Sequence, residues 1–246
     1  MPRSPADPPG SVTVVGAAGE TLNPLDFGHD PGTDEVPALD GYQDLGVIGR
    51  GGMAEVRRVR DVSLNRVMAM KIMHPQFIGS ADTVARFLEE AQATAQLTHP
   101  GIIPVHSRGR LPDGRLYFTM KEVQGRTLRE VIDALHESSD HTGWGQTDWG
   151  LTFRGLIATF SRVCEAVAYA HARGVIHRDI KPSNVMTGPF GEVHVLDWGL
   201  ARVSAASPAW TSVTTVRSGS DAQRTAVGAI AGTPLFMPPE QAAGAF

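Results

Sequence analysis

One short segment of the sequence combines three side chains that suit the transfer of a charged group. It reads His-Arg-Asp-Ile-Lys-Pro-Ser-Asn over residues 177–184. Asp179 can accept a hydroxyl proton, Lys181 can neutralise a transferring phosphoryl group, and Asn184 can bind Mg²⁺ through its carbonyl oxygen. A polar loop that ends in a Pro-Ser-Asn turn does not explain this combination, so the segment indicates phosphoryl transfer.

A second segment with a candidate functional residue, Asp197-Trp198-Gly199, follows the apolar run 193–196. An aspartate beside a glycine at the end of a strand is a common turn. Because it comes shortly after the first segment, Asp197 is interpreted as a second magnesium ligand.

A lysine and a glutamate further upstream could form a pair. Lys71 lies on a predicted buried strand, where an ammonium group needs an anionic partner, and Glu90 on the following predicted helix could supply it. The pair would leave Lys71 directed at nucleotide phosphates. The alternative is a lysine on an edge strand with its amine in water.

Glycines are concentrated between the first two predicted strands, in the segment 48–56. A glycine-rich turn lets backbone N–H groups come close to phosphates. The alternative is an ordinary hairpin tip. The segment is not a Walker A loop, because the Gly-Lys-Ser/Thr sequence is missing.

The composition excludes several classes of protein. The 246 residues are 41% hydrophobic and carry a net charge of −4, which is typical of a globular protein and does not favour a nucleic-acid partner. Cys164 is the single cysteine, so neither an intramolecular disulfide nor a cysteine-based zinc site can form. There is no signal peptide and no run of 18 apolar residues, which predicts a cytoplasmic protein without a membrane segment.

The acidity belongs to the first 40 residues. They hold seven of the 17 prolines and carry a net charge of −6, whereas the other 206 residues carry +2. Such a segment cannot bury enough apolar surface to offset chain entropy, so residues 1–40 are predicted to be a disordered, Pro-rich acidic tail.

The remaining chain divides into a β-rich half and a helical half. The predicted strands are Tyr42–Ile48, Glu55–Asp61, Arg66–Met73 and Leu116–Val123, and a hairpin joins Val185–Met186 to Val193–Leu196. Asp82 is predicted to cap a helix with apolar positions Val84, Phe87, Ala91 and Ala95. A second helix, Thr152–Ala172, has its predicted apolar face at Phe153, Ile157, Phe160, Cys164, Val167 and His171. Cys164 is therefore predicted to be buried, and residues 136–150 to be a loop insertion.

A last segment, residues 232–240, reads Gly-Thr-Pro-Leu-Phe-Met-Pro-Pro-Glu. Together with the glycine-rich segment, the Lys71 and Glu90 pair, and the segments of Asp179 and Asp197, it resembles, in the same order, the motifs of bacterial Hanks-type (eukaryotic-like) serine/threonine protein kinases. The resemblance runs from about residue 42 to 246. It implies an α+β, bilobal protein-kinase-like fold, with a β-rich N-lobe containing one main helix (about 42–122) and a helical C-lobe (about 123–246). Residues 197–240 correspond to the activation segment.

The resemblance implies that the protein transfers the γ-phosphoryl group of ATP to Ser/Thr hydroxyls of protein substrates, with Mg²⁺ as cofactor. The implied catalytic residues are Asp179 as base, Lys181, Lys71 and Glu90, and the implied metal ligands are Asn184 and Asp197. The implied nucleotide-binding residues are Ile48, Gly49, Arg50, Gly51, Gly52, Met53, Ala54, Glu55, Val56, Ala69, Lys71, Met120, Lys121, Val123 and Met186. Within this set, Val56, Ala69 and Met186 are expected to sandwich the adenine, Met120 to be the gatekeeper, and 121–123 to be the hinge.

The resemblance also bears on how the protein is regulated and on how long a complete C-lobe is. Arg178 is expected to pair with a phosphate on the activation segment. The Ser/Thr-rich stretch 204–225 leads to the hypothesis of autophosphorylation near Thr225, or at Thr214 or Thr215, and the alternative is a flexible loop without a regulatory role. The family has further C-lobe helices after the position of Glu240, so the C-lobe is expected to be incomplete. An inactive fragment or pseudokinase that binds nucleotide or protein is the alternative to an active kinase.

Overall fold

A computed structural model describes residues 41–138, 152–203, 213–218 and 232–244 of the chain. The predicted tail at 1–40, Thr225 and most of the predicted insertion (139–150) lie outside these residues. The first part of that insertion is helical, because helix α2 continues to Ser138.

Five antiparallel strands form one sheet in the first half of the chain, in the order β1-β2-β3-β5-β4. Their bounds are β1 Tyr42–Arg50, β2 Ala54–Asp61, β3 Arg66–Met73, β4 Val105–Arg110 and β5 Leu116–Met120. The predicted bounds of β3 are confirmed. Strands β1 and β2 come closer to the turn than predicted, because the hairpin pairs as far as Arg50 with Glu55. Strand β5 ends three residues earlier than predicted.

Helix α1, Ala81–Gln96, packs against this sheet. Its N-cap is Ser80 and not Asp82, because the Ser80 hydroxyl accepts a hydrogen bond from the Thr83 amide at 3.4 Å. Asp82 lies in the first turn, where its carboxylate pairs with Arg86 at 2.8 Å. Phe87 and Ala91 are buried as predicted, whereas Ala95 is exposed.

The second half of the chain is helical with short strand pairs. Its elements are β6 Arg126–Thr127, α2 Leu128–Ser138, α3 Phe153–Ala172, β7 Val175–Ile176, β8 Val185–Thr187, β9 Val193–Val195, β10 Arg202–Val203 and α4 Pro239–Ala242. Helix α2 has no counterpart among the predicted elements, although its buried positions Leu128, Val131 and Leu135 recur at helical spacing. The predicted helix at 152–172 is confirmed as α3, with Thr152 as its N-cap.

Most of the predicted apolar face of α3 is exposed to solvent, although Val167 packs against the core. Phe160 and Ile157 are 63% and 57% exposed, and Cys164 is exposed rather than buried. The buried face carries smaller side chains: Thr159, Val163, Ala166 and Ala170. Because α3 has apolar residues around much of its circumference, helical spacing alone did not identify the face that meets the core.

One β-bridge and one apolar cluster join the halves into a bilobal fold. Ile102, which follows α1, bridges to Val195 of β9, and both side chains are 2% exposed or less. Leu97 packs in the same cluster as Val163 of α3. The predicted fold class, α+β with a β-rich N-lobe, is therefore confirmed. Within the described residues, no helix has the length and apolar character needed to span a bilayer.

Candidate active site

The loop that carries Asp179 is held by its neighbours on both sides. His177 is 1% exposed, and its ring accepts a hydrogen bond from the Asp179 amide at Nδ1 (3.2 Å), so that Nε2 donates to the Leu196 carbonyl at 2.8 Å. Burial lowers the pKa of His177, which keeps the ring neutral. The two hydrogen bonds then fix its tautomer. Arg178 has a left-handed backbone (φ 67°), a strained conformation that the surrounding contacts must hold. The two hydrogen bonds of the buried His177 ring brace the loop in this conformation.

Asp179 is the centre of a hydrogen-bond network with three partners. The Thr233 amide and hydroxyl donate to its Oδ1 at 2.9 and 2.7 Å. The Lys181 ammonium lies 3.1 Å from Oδ2, and the Asn184 amide donates to Oδ2 at the same distance. Lys181 also donates to the Thr233 hydroxyl at 2.8 Å. Thr233 thus links the segment that precedes α4 to both Asp179 and Lys181.

These contacts decide the charge of Asp179. Burial acts to raise its pKa, but the hydrogen bonds from Thr233 and Lys181 and the charge of Lys181 outweigh that effect and lower the pKa overall. Asp179 is therefore a carboxylate at neutral pH, as a group that orients a hydroxyl must be.

The backbone of Gly232 allows Thr233 to reach Asp179. Gly232 has φ +124°, and a Cβ at this position would lie 2.6 Å from the Arg178 carbonyl oxygen, so a side chain does not fit. The Gln241 amide donates to that same carbonyl at 2.6 Å. The segment 232–241 is thereby fixed against the loop that carries Asp179.

Lys71 and Glu90 form the predicted pair. The Lys71 ammonium lies 2.6 Å from Glu90 Oε1 and 3.9 Å from Asp197 Oδ1, and the side chains are 13%, 7% and 9% exposed. Burial acts to lower the pKa of Lys71, but the charges of Glu90 and Asp197 raise it overall. The ammonium therefore keeps its charge, and the edge-strand alternative does not describe this lysine.

Three buried oxygens in the site lack a hydrogen-bond partner among the described residues: Glu90 Oε2, Asn184 Oδ1 and Asp197 Oδ1. Glu90 is already paired with Lys71 through its other oxygen, which leaves Asn184 and Asp197 for an added ligand. An orphaned buried oxygen is costly unless a ligand satisfies it, and one carboxylate with one carboxamide is a donor set that suits Mg²⁺ together with phosphate oxygens and water. The described residues contain no group of three or more His, Cys, Asp or Glu side chains that could hold a metal without such added ligands. These two residues fit a magnesium site completed by a nucleotide.

Asp197 is positioned by a strained backbone and a buried aromatic ring. Its φ is +58°, in the left-handed region, and Trp198 next to it is 3% exposed. The Trp198 ring packs on His177 with their ring centroids 4.6 Å apart, and its indole N–H donates to the Val195 carbonyl at 3.3 Å. The bulky ring thus packs inside the domain and anchors the turn that presents Asp197.

A cleft between the sheet and the helical half adjoins Lys71 and Asp197. The predicted nucleotide-binding residues that line it are Gly51, Gly52, Met53, Ala54, Val56, Ala69, Lys71, Met120, Lys121, Val123 and Met186. Val56 and Ala69 belong to the upper sheet and Met186 to β8, so the apolar walls come from both halves. Glu122, in the predicted hinge, accepts a hydrogen bond from Arg58 Nε at 2.8 Å, which ties this segment to β2.

Four predicted nucleotide-binding residues do not line the cleft: Ile48, Gly49, Arg50 and Glu55. Glu55 pairs instead with Arg57 at 3.2 Å, because neighbouring residues of a strand face opposite sides and Val56 takes the cleft side. Lining residues that the sequence analysis missed include Thr94, Ile103, Val105, Phe118 and Leu196. A signal existed for two of them, since Thr94 lies one helical turn from Glu90 and Phe118 alternates with Met120.

Comparisons with known proteins agree with this geometry. Residues 42–244 match the family described as protein kinase domain. The chain is 39% identical over 210 residues to serine/threonine-protein kinase PknD of Protochlamydia amoebophila, covering 83% of this chain and 21% of that protein. It is 33% identical over 207 residues to serine/threonine-protein kinase pkn3 of Myxococcus xanthus, covering 82% and 34%. It is also 33% identical over 211 residues to serine/threonine-protein kinase PknD of Chlamydia trachomatis, covering 82% and 22%.

The chain belongs to the protein kinase family. The resemblance to bacterial Hanks-type kinases is confirmed, since the matched relatives are bacterial serine/threonine-protein kinases. The chain spans between a fifth and about a third of the length of these relatives. The family generally uses ATP and Mg²⁺ and acts on proteins.

Proposed function

We propose that this chain is an ATP- and Mg²⁺-dependent kinase domain that phosphorylates Ser/Thr hydroxyls of proteins. The observation that carries the proposal is that Lys71 and Asp197 line one cleft, while Asp179 and Asn184 are hydrogen-bonded to each other on the adjoining loop. The Asn184 backbone carbonyl accepts from the N–H of Leu196, which lines the same cleft, at 2.8 Å. A pseudokinase is the less favoured candidate, because none of these groups is replaced or turned away.

Each residue has a role that follows from its contacts. The Asp179 carboxylate orients the acceptor hydroxyl and accepts its proton, while Lys181, 3.1 Å away, offsets negative charge on the transferring group. Lys71, fixed by Glu90, binds the α- and β-phosphates. Asn184 and Asp197 would hold Mg²⁺, which neutralises charge on the phosphates when bound. Since the transition state is loose, positioning and charge neutralisation supply most of the acceleration.

Lys181, two residues after the base, resembles the lysine of serine/threonine kinases and so favours a Ser/Thr acceptor. Its ammonium donates to the Thr233 hydroxyl, which in turn donates to Asp179. We assign the N-lobe to about 42–122, the C-lobe to about 123–246 and the activation segment to 197–240.

Binding of Mg²⁺ and ATP provides the first test. The wild-type chain should melt at a higher temperature with ATP and Mg²⁺ than with ATP alone, because a ligand that binds only the folded state stabilises it. Asp197→Asn should lose this magnesium-dependent increment, since it weakens one of two metal ligands. Transfer of radiolabelled phosphate to a generic basic protein is measured in parallel.

The matched control for Asp197→Asn is Asp133→Asn, on the exposed surface of α2. It should keep the magnesium-dependent rise in melting temperature and the transfer of radiolabel. A wild-type chain that binds Mg²⁺ and ATP but transfers no label would support the pseudokinase candidate instead.

We further propose that the activation segment is autophosphorylated. Burial and the positive charge of Arg202 lower the pKa of Arg178, Glu89 raises it, and Arg86 and Arg217 lower it. Three guanidinium groups and one carboxylate therefore surround Arg178, a net positive setting that favours an added phosphate. The Thr214 side chain is exposed, whereas Thr215 is 7% exposed.

Incubation with ATP and Mg²⁺, followed by peptide mass spectrometry, should therefore find phosphate on Thr214 in preference to Thr215. The Asp179→Asn chain serves as the unmodified control. An active wild-type chain whose 204–225 peptides carry no phosphate would contradict the proposal.

A further inference from the structure

A six-residue stretch of the activation segment, residues 213–218, lies along helix α1. We call it the strap. Its side chains alternate between buried and exposed, with Val213, Thr215 and Arg217 facing inward at 4%, 7% and 7% exposure. Val213 packs in the main apolar cluster, and its amide donates to the Arg173 carbonyl at 3.3 Å. The strap thus has one face against the domain, and it ends in a turn that the Ser218 N–H closes onto the Thr215 carbonyl at 2.9 Å.

Helix α1 binds the main chain of the strap with two glutamine side chains. The Gln96 amide group donates to the Thr214 carbonyl at 2.7 Å and accepts from the Thr214 N–H at 3.1 Å. Gln92 Oε1 accepts from the Val216 N–H at 2.7 Å. All three bonds are made to backbone atoms of the strap, so they do not depend on its side chains.

Acidic residues on the same side of α1 bind the inward side chains of the strap. The Thr215 hydroxyl donates to Glu89 at 3.4 Å, and the Arg217 guanidinium lies 3.6 Å from Glu89 and 3.7 Å from Asp82. At about 100° per residue, Asp82, Glu89, Gln92 and Gln96 fall within an arc of about 80°. They form one polar stripe along the helix.

Glu90 follows Glu89 in sequence but points about 100° away from it around the helix. The position of the whole helix therefore decides whether Glu90 reaches Lys71. A rigid helix bound along the stripe cannot rotate or move outward without breaking the contacts with the strap. With the strap bound, Glu90 Oε1 is 2.6 Å from the Lys71 ammonium. Helix α1 therefore carries both the residues that bind the strap and the glutamate that pairs with Lys71.

We propose that Gln92 and Gln96 are positioning residues, which bind the strap and thereby hold α1 where Glu90 engages Lys71. The proposal rests on the proposed kinase activity for its kinetic consequence, though not for the contact itself. Release of the strap would let α1 drift, so that Lys71 loses its partner for part of the time. The expected effect falls on turnover.

The test uses variants of equal length in the full chain. Gln92→Leu with Gln96→Leu removes all three bonds, whereas Gln92→Glu keeps an acceptor for the Val216 N–H. Gln76→Leu, on the exposed turn before α1, is the control. Since each bond contributes a factor of about 2 to 10, the double Leu variant should lower kcat about tenfold or more with little change in the KM for a protein substrate. Gln92→Glu and Gln76→Leu should stay close to wild type.

An activity-independent readout separates the contact from the chemistry. Arg217 is shielded in the bound strap, so trypsin should cleave after Arg217 at least several times faster in the double Leu variant, and hydrogen exchange along α1 should rise. Unchanged cleavage and kcat in that variant, with an active wild type, would overturn the proposal, as would faster cleavage with unchanged kcat. A wild-type chain without transferase activity contradicts the proposed function instead, and the trypsin comparison then still tests the strap contact.

Discussion

Asp179→Asn is expected to lower the turnover number by about 10² to 10⁴-fold, the range that a positioned acid–base group contributes. An asparagine at this position keeps the size and the Oδ1 acceptor that Thr233 uses at 2.7 Å, but it cannot accept a hydroxyl proton. It also removes the negative charge that holds the Lys181 ammonium at 3.1 Å. The measurement is single-turnover transfer of radiolabelled phosphate at saturating ATP and Mg²⁺.

The substitution should leave nucleotide binding nearly intact but should destabilise the fold, because it breaks the ion pair between Lys181 and Asp179, whose side chains are both 3% exposed. Asp179 does not line the cleft that takes the nucleotide, so the rise in melting temperature with ATP and Mg²⁺ should match the wild type. Asp133→Asn on the exposed surface of α2 is the matched control and should transfer phosphate at the wild-type rate. A turnover number that falls less than about tenfold in Asp179→Asn would contradict the assignment of the base.

Lys71→Met should reduce kcat/KM by about 10² to 10³-fold and also destabilise the fold. The first effect follows because an ammonium aimed at the phosphates is lost. The second follows because Glu90, 7% exposed and 2.6 Å from the ammonium, is left as a buried carboxylate without its partner. Breaking a buried ion pair in this way costs about 3–5 kcal/mol of unfolding free energy.

A second substitution separates the two effects. Lys71→Met with Glu90→Gln removes both charges, so it should recover a large part of the lost unfolding free energy and none of the lost activity. Denaturant unfolding and label transfer measure the two quantities independently. Arg129→Met, which breaks the exposed Arg129–Asp133 pair at 3.0 Å, should change unfolding by less than about 1 kcal/mol. Equal instability of the single and double variants would show that the ion pair is not what stabilises this part of the core.

Sequence patterns predicted elements well where the pattern itself carries the physical cause. Strand β3 has its predicted bounds, and α3 begins and ends within a residue of its prediction. Capping was harder to predict, because Ser80 and Asp82 both suit an N-cap and only the backbone geometry selects one of them. Buried faces were hardest to predict, as Cys164 on α3 shows, since burial depends on what packs against the helix.

The chemistry of this protein follows from its sequence alone, because the acidic, basic and amide groups of the site sit in short segments whose residue types have few other uses together. Which of those groups meet is a property of the tertiary structure. Lys71 and Glu90 are 19 residues apart, Thr233 reaches Asp179 across 54 residues, and the strap meets Gln92 and Gln96 across more than 115. Contacts over such distances depend on how sheet, helix and segment pack, and no local pattern of residue types records that packing.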